Sequence, residues 1–408
     1  TLPTLVAGAA PATGTHWRSQ AGSVTMLGAM AHCAPRQLAT ALPSVVPALS
    51  AALADPHPRV AEAAKAALAE VGGVVRNPEV RGLAPALLAA IADPGAAARP
   101  ALDALLRTSF VNTIDAASLA LVVPVLHRGL RDRGGDAKKR AARIVGAMAS
   151  LIEGPKDMAP YVPLLLPEVR AALVDPHPEV RGTAAKALGA MLRGMGGAAF
   201  GDDLLPWLLT TLAAEGAAVE RSGAAQGLAE VLAVLGPAHA DALLPTILAG
   251  CSAKAPPARE GSLALFRFLP SAMPAAFKPH LAAVLPAVLG GLADDNDGVR
   301  EAALLAARTA VDLYARDSLD LLLPAVEAGA AAASWRIRQS SVELLGDLLF
   351  KVVGTSGRAR ADGAGSDDEG ASTDDHGRAI TAALGADRRA EVLGLLYLCR
   401  SDVAGGVR

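Results

Sequence analysis

The chain has 408 residues, too many for one ordinary core, so its length admits either two or three domains or an array of repeats. Aromatic residues make up only 3% of it while alanine and the aliphatics dominate; strands lean on aromatic and β-branched side chains, so the composition argues against a β fold and for an all-α one. A formal charge of −2 removes any global attraction to nucleic acid or to acidic membranes and leaves only local patches to provide one.

From the N-terminus, Thr1 to Ala12 lacks the basic region of a secretory signal. Leu2-Pro3 and then Trp17-Arg18-Ser19-Gln20 begin a helix pair whose second helix, Trp17 to Gly28, mirrors Trp335 to Gly346. Trp17 matches Trp335, Ser23 matches Ser341, Val24 matches Val342, and Leu27-Gly28 matches Leu345-Gly346. The longest uncharged run, Gln37 to Ala54, is interrupted by Pro43 and Pro47 and reads as a core helix, not a membrane span.

From there one proline recurs inside apolar stretches: Pro47, Pro85, Pro124, Pro167, Pro206, Pro245, Pro286 and Pro324, at gaps of 38, 39, 43, 39, 39, 41 and 38 residues. Eight residues after it stands an aspartate in five of these eight units: Asp55, Asp93, Asp132, Asp175 and Asp294. Fourteen to sixteen residues after it stands Arg99, Arg140, Arg181, Arg221, Arg259, Arg300 or Arg338, with Ala61 in the first unit. The proline falls within a first helix, as in Leu164-Leu165-Leu166-Pro167, where it removes a backbone donor. The aspartate ends that helix and opens a turn such as Asp175-Pro176-His177-Pro178, and its side chain suits capping of the next helix. The second helix then follows helical spacing through Ala184, Ala185, Ala187, Leu188, Met191 and Leu192. A helix–turn–helix unit of about 40 residues is the HEAT/armadillo period, and two helices per unit favour HEAT. The expected fold is an all-α HEAT solenoid, a right-handed superhelix of helix pairs. Pro167, Asp175, Arg181, Arg221, Asp294, Arg300, Trp335 and Arg338 are its structural landmarks, with arginines placed to reach aspartates of neighbouring units.

Two segments break the uniformity. Between Arg128 and Arg143, seven basic residues face only Asp132 and Asp136, a local +5 in sixteen residues. Arg131, Arg133, Lys138 and Lys139 are the candidate contacts there to ribosome or RNA phosphates; Arg140 is set aside as the repeat's structural arginine, and no aromatic residue is present for base stacking. Further on, 358–377 carries Gly, Ser, Asp and Glu with few apolar residues and is expected to be a disordered acidic loop. Within it, Ser366 precedes Asp367-Asp368-Glu369 and is a candidate phosphorylation site. The domain plan is therefore HEAT repeats over 1–195, continuing repeats over 196–357, the loop over 358–377, and a truncated further repeat over 378–408, where Arg389 to Cys399 reads as a first helix.

No nucleotide-binding, metalloprotease, CxxC or serine-hydrolase motif occurs. His57 and His177 recur in identical Asp-Pro-His-Pro turns, as turn residues and not ligands. Cys33, Cys251 and Cys399 are sparse and odd in number, which fits a reducing compartment. No catalytic, cofactor-binding or metal residue is expected.

Three stretches are more specific than a general HEAT pattern: Ser334-Trp335-Arg336-Ile337-Arg338-Gln339-Ser340-Ser341-Val342-Glu343-Leu344-Leu345-Gly346, Val219-Glu220-Arg221-Ser222-Gly223-Ala224-Ala225-Gln226-Gly227-Leu228, and Ala184-Ala185-Lys186-Ala187-Leu188-Gly189-Ala190-Met191 with Leu204-Leu205-Pro206-Trp207-Leu208. They resemble the general control nonderepressible translational activators, giant HEAT proteins that work with the amino-acid-starvation kinase of initiation factor two alpha. Gly22 to Gly194 also resembles the HEAT region of fungal elongation factor three. The resemblance implies a cytoplasmic, non-catalytic, ribosome-associated scaffold that promotes kinase activation under amino-acid starvation or ribosome stalling. It implies the ribosome and an ATP-binding-cassette co-regulator as partners, with kinase contact through segments outside this stretch and no membrane. A generic HEAT adaptor in transport or cytoskeletal assembly is the alternative.

Overall fold

A computed structural model describes residues 2–10, 16–200, 202–353 and 373–408. It divides into two compact units, Thr1–Leu204 and Leu205–Arg408.

Unit 1 contains α1 (Leu2–Ala9), α2 (Trp17–Cys33), α3 (Pro35–Leu53), α4 (Pro58–Gly72), α5 (Pro78–Ala92), α6 (Pro94–Arg107), α7 (Ala116–Leu130), α8 (Gly135–Ala149), the short α9 (Pro155–Met158), α10 (Val162–Leu173) and α11 (Pro178–Met195). Unit 2 runs from α12 (Leu204–Leu212) through α13 (Ala218–Leu235), α14 (Pro237–Gly250), α15 (Pro256–Ala272), the short α16 (Pro274–Phe277), α17 (Leu281–Gly291), α18 (Asp297–Tyr314), α19 (Leu319–Ala330), α20 (Trp335–Val353), α21 (Thr373–Leu384) and α22 (Ala386–Cys399). All eight recurring prolines lie within first helices of pairs. Among the described residues the extended backbone amounts to one isolated parallel bridge, Ile114 to Ile152. The fold is all-α and of the HEAT-repeat solenoid class.

Each pair buries an aliphatic seam, such as Leu42, Val46 and Leu49 of α3 against Val60, Ala64 and Leu68 of α4, all 3% exposed or less. Second helices then stack through small residues. An added Cβ on Gly28 of α2 would sit 2.9 Å from the Ala67 backbone of α4. One on Gly146 of α8 would sit 3.2 Å from the Ala187 backbone of α11, and one on Gly261 of α15 would run into the carbonyl oxygen of Leu212, which ends the first helix α12. The many alanines are the means of this close stacking, since a bulky residue would hold the helices apart.

The stack is interrupted in unit 1. α2 packs closely on α4, and α8 on α11, yet α4 and α6 barely touch, and α3 packs directly against α7. The pair α5–α6 packs instead on α7 and α8. Its α6 carries Pro100 in its interior and presents no glycine toward α4. The long connection after α6 is pinned instead by side chains: Asn77 donates to the Thr113 carbonyl at 3.0 Å, and Glu79 accepts from the Val111 and Asn112 amides at 3.2 Å.

The acidic segment differs from its expected extent. Residues 358–372, including Ser366, lie outside the described residues, but α21 begins at Thr373, so the last five residues of the expected loop are helical. The Ala379-Ile380-Thr381-Ala382-Ala383-Leu384 run is a good helix former and carries the helix back toward its polar start. α21 is thus an additional helix, and α22 is the next first helix, packed on α19.

Candidate functional site

The turns between the two helices of each pair line up along one edge within each unit, and most of the charge chemistry is there. The landmark aspartates accept hydrogen bonds from the amide two residues on: Asp55 from His57 at 2.9 Å, Asp132 from Gly134 at 2.7 Å, Asp175 from His177 at 2.9 Å and Asp294 from Asn296 at 2.9 Å. This is an Asx turn, not the cap of the following helix. Asp93 alone of the five caps its helix, accepting from Ala96 at 3.2 Å.

Several landmark arginines join their own turn to the next. Five of the series, Arg181, Arg221, Arg259, Arg300 and Arg338, send one guanidinium nitrogen back to carbonyls of the turn that follows their own first helix. Arg181 donates to the Asp175 and Pro176 carbonyls at 2.9 Å, Arg259 to those of Ala253 and Lys254 at 2.9 Å, Arg338 to those of Ala332 and Ala333 at 2.9 and 2.7 Å, and Arg300 to that of Asp294 at 2.5 Å. These turn carbonyls lie outside any helix and so have no intrahelical donor of their own. The remaining nitrogens reach a carboxylate of the next turn: Arg221 to Glu260 at 2.7 Å, Arg259 to both oxygens of Asp294 at 2.7 and 2.8 Å, and Arg338 to both oxygens of Asp402 at 2.6 and 2.9 Å. A planar, five-donor fork is suited to serve both directions at once. Asp402 lies 64 residues beyond Arg338, compared with 35 for Asp294 beyond Arg259, so the ladder closes across the inserted segment. Arg338 holds the Asp402 carboxyl down to about 2.

The basic stretch of unit 1 is less free than its composition implies. Lys138, and not Arg140, is the rung there: its ammonium lies 2.6 Å from Asp175, whose side chain is 3% exposed. Burial pushes the Asp175 carboxyl up, but hydrogen bonds from Lys138 and His177 outweigh it and hold the group down to about 2. Lys138 stands fourteen residues after Pro124, the same offset as Arg181 from Pro167, whereas Arg140 stands at sixteen. Arg140 instead pairs with Asp103 and with Asp136. Arg140 thus stays a structural residue, joined to the preceding pair, while Lys138, expected as a phosphate contact, takes the rung, because the spacing and not the residue type marks it. Lys139 pairs with Glu179 in an exposed contact, Arg131 lies 3.6 Å from Glu168, and Arg133 is exposed with no ion pair among the described residues. Arg128 and Arg143 are exposed as well.

Two rungs were not legible from residue type. Gln20 reaches Asp55 at 3.0 Å in the first pair, and Glu260 replaces aspartate as the acceptor of Arg221. Counting from the proline locates Lys138, and the match of Trp17 to Trp335 puts Gln20 in the register of Arg338, although its residue type does not suggest a rung. Trp335, beside Arg336, is 46% exposed at the start of α20. No group of three or more His, Cys, Asp or Glu residues is placed to hold a metal ion among the described residues. None of their helices is long and apolar enough to cross a membrane.

A helix-pair array with its polar residues devoted to an inter-repeat ladder defines a HEAT-repeat protein. Its sequence agrees: the elongation factor 3/GNC1 HEAT repeat matches residues 97–202, and the elongation factor 3 N-terminal HEAT repeat matches 1–68 and 221–352. The chain belongs to this elongation factor 3/GNC1 HEAT family. Among curated relatives, it is 54% identical over 398 residues to Protein ILITYHIA of Arabidopsis thaliana. It is 48% identical over 394 residues to Stalled ribosome sensor GCN1 of Mus musculus, and 43% identical over 392 residues to eIF-2-alpha kinase activator GCN1 of Saccharomyces cerevisiae. Each match covers 96% of this chain but only 14 to 15% of the relative.

Proposed function

We propose that the chain is a non-catalytic section of a cytoplasmic, ribosome-associated HEAT scaffold that promotes activation of the initiation factor two alpha kinase when ribosomes stall or amino acids run short. The observation that carries this reading is similarity at 43 to 54% identity, continuous over 96% of the chain, to relatives named for sensing stalled ribosomes and for activating that kinase. The polar architecture agrees with a scaffold: arginines and carboxylates pair between repeats and not around a cavity. An ATP-binding-cassette co-regulator acts as a further partner, and the kinase is engaged through other parts of the larger protein.

Within this section, ribosomal RNA phosphates meet the exposed turn-edge cations Arg131, Arg133 and Lys139. The first two project from the turn itself, and Lys139 has only an exposed carboxylate to leave. Lys138 is not among them, because freeing it would strand the buried Asp175. Co-sedimentation of the full-length protein with ribosomes tests the reading. The wild type should sediment with ribosomes, and the combined substitution R131E, R133E and K139E should weaken that association and flatten its salt dependence. A full-length protein that stays in the ribosome-free fraction refutes it.

A further inference from the structure

Trp17 and His57 come from successive helix pairs of unit 1. Trp17 opens α2, and His57 lies in the Asp55-Pro56-His57-Pro58 turn that leads into α4. Their rings stack with centroids 4.2 Å apart and planes 12° from parallel, and the His16 ring lies 5.9 Å from Trp17 at 27°. The guanidinium groups of Arg18 and Arg59 stand over the Trp17 ring itself, 4.9 and 5.6 Å from its centre, in cation–π contact. Both arginines are exposed, and neither has a carboxylate partner among the described residues. The nearby carboxylate, Asp55, is engaged on both oxygens, by the His57 amide at 2.9 Å and by Gln20 at 3.0 Å.

The same register elsewhere lacks this combination. Trp335-Arg336 repeats the Trp-Arg pair, but the turn after α22 offers Val403 and Ala404 where an imidazole would be needed. His177 repeats the Asp-Pro-His-Pro turn, but it sits over Gly135, which has no ring to offer. The Trp–His stack of α2 and the α4 turn is therefore not a by-product of the repeat.

We propose that this Trp17–His57 stack, flanked by Arg18 and Arg59, is a stacking platform for an unpaired RNA base. Near-parallel rings at this spacing accept another ring in the same array, and every nucleobase offers a π-face. The two arginine forks over the Trp17 ring swing aside as the base stacks and meet its adjoining phosphates, neither being held by a carboxylate among the described residues. Duplex RNA keeps its bases stacked internally, so single-stranded segments are the partner that such an array fits. The identification of that RNA as ribosomal rests on the ribosome-associated reading above; the platform itself does not.

Trp17 fluorescence reports the event directly. In a chain carrying W207F and W335F, Trp17 is the remaining tryptophan. A single-stranded oligoadenylate of roughly 12 nucleotides should quench it saturably, and an RNA duplex or polyglutamate of similar charge should not. W17A and H57A should each weaken oligoadenylate binding about tenfold, the scale of one lost base stack, without changing the dependence of affinity on salt. The R18E/R59E variant should do the reverse and reduce the logarithmic salt slope by about 1.4, the value for two single-strand phosphates. W17F keeps an aromatic face and should retain much of the affinity, which separates lost stacking from lost folding. Absence of quenching, equal quenching by polyglutamate, or unchanged oligoadenylate affinity in both W17A and H57A overturns the platform. Ribosome co-sedimentation of the full-length protein separates the two levels. Oligoadenylate binding without ribosome association sinks the ribosomal assignment and leaves the platform. Ribosome association with no oligoadenylate response does the opposite.

Discussion

Replacing Lys138 by methionine removes one rung of the ladder while keeping most of the side-chain volume. The Asp175 carboxylate left behind is 3% exposed, and Lys138 itself is 25% exposed. The drop of the Asp175 pKa from 3.8 to about 2, at about 1.4 kcal/mol per unit, corresponds to roughly 2 kcal/mol of stabilisation shared by Lys138 and the two hydrogen bonds from His177. Stranding a fully buried charge costs about 3–5 kcal/mol. Here His177 still solvates the carboxylate, so K138M should cost roughly 1–2 kcal/mol. Repeat arrays open locally, so native-state hydrogen exchange of the α8 and α11 amides measures this better than a global melt. A double-mutant cycle with D175N should give a coupling of about 1 kcal/mol. Because the folded pKa of Asp175 is depressed, its stabilisation is complete above 3.8 and is lost as pH falls through about 2. The gap between wild type and K138M should close over that window. Unchanged exchange in K138M, with no coupling to D175N, would refute the rung and return Lys138 to the candidate RNA contacts.

Other outcomes follow from the same geometry. G261A should destabilise unit 2 by roughly 1–3 kcal/mol, seen as a lower urea midpoint, because its Cβ would overlap the Leu212 carbonyl oxygen. Amides of α6 should exchange at least about tenfold faster than those of α8, since α6 lacks close stacking on α4. A61R puts a cation at the landmark offset of the first unit, fourteen residues after Pro47, and should slow that exchange if it reaches Asp93 across the gap; uniform protection across α4, α6 and α8 would contradict the interruption. Deleting residues 361–371 should shift the melting temperature by less than about 2 °C, because Arg338–Asp402 and Arg388–Glu327 hold α22 to the preceding pair across the inserted segment.

The repeat was legible because its marks are local: a proline within each first helix, an aspartate in the turn, and alanine at helical spacing. The ladder was legible only in part. Residue type pointed to Arg140, whereas the rung is Lys138, because a turn geometry fixes the offset from the proline and leaves the cation open to exchange. The free charge of the basic stretch was overread for a related reason. Asp103, Glu168, Asp175 and Glu179 lie outside it in sequence, and stacking of neighbouring pairs brings each of them to a cation within it. The Trp17–His57 stack joins residues forty positions apart and leaves no periodic trace. The weak contact between α4 and α6 has no mark in the repeat pattern, because it shows only once the neighbouring helices are in place.

The most direct test of the ribosome-bound scaffold is RNA–protein crosslinking of the full-length protein on ribosomes, with the linked residues mapped. The account predicts ribosomal RNA crosslinks within unit 1 that cluster at the turn edge, at 16–18, 55–59 and 131–139. Crosslinks that fall entirely outside residues 1–204 of this section, or a full-length protein that never reaches the ribosomal fraction, would contradict it.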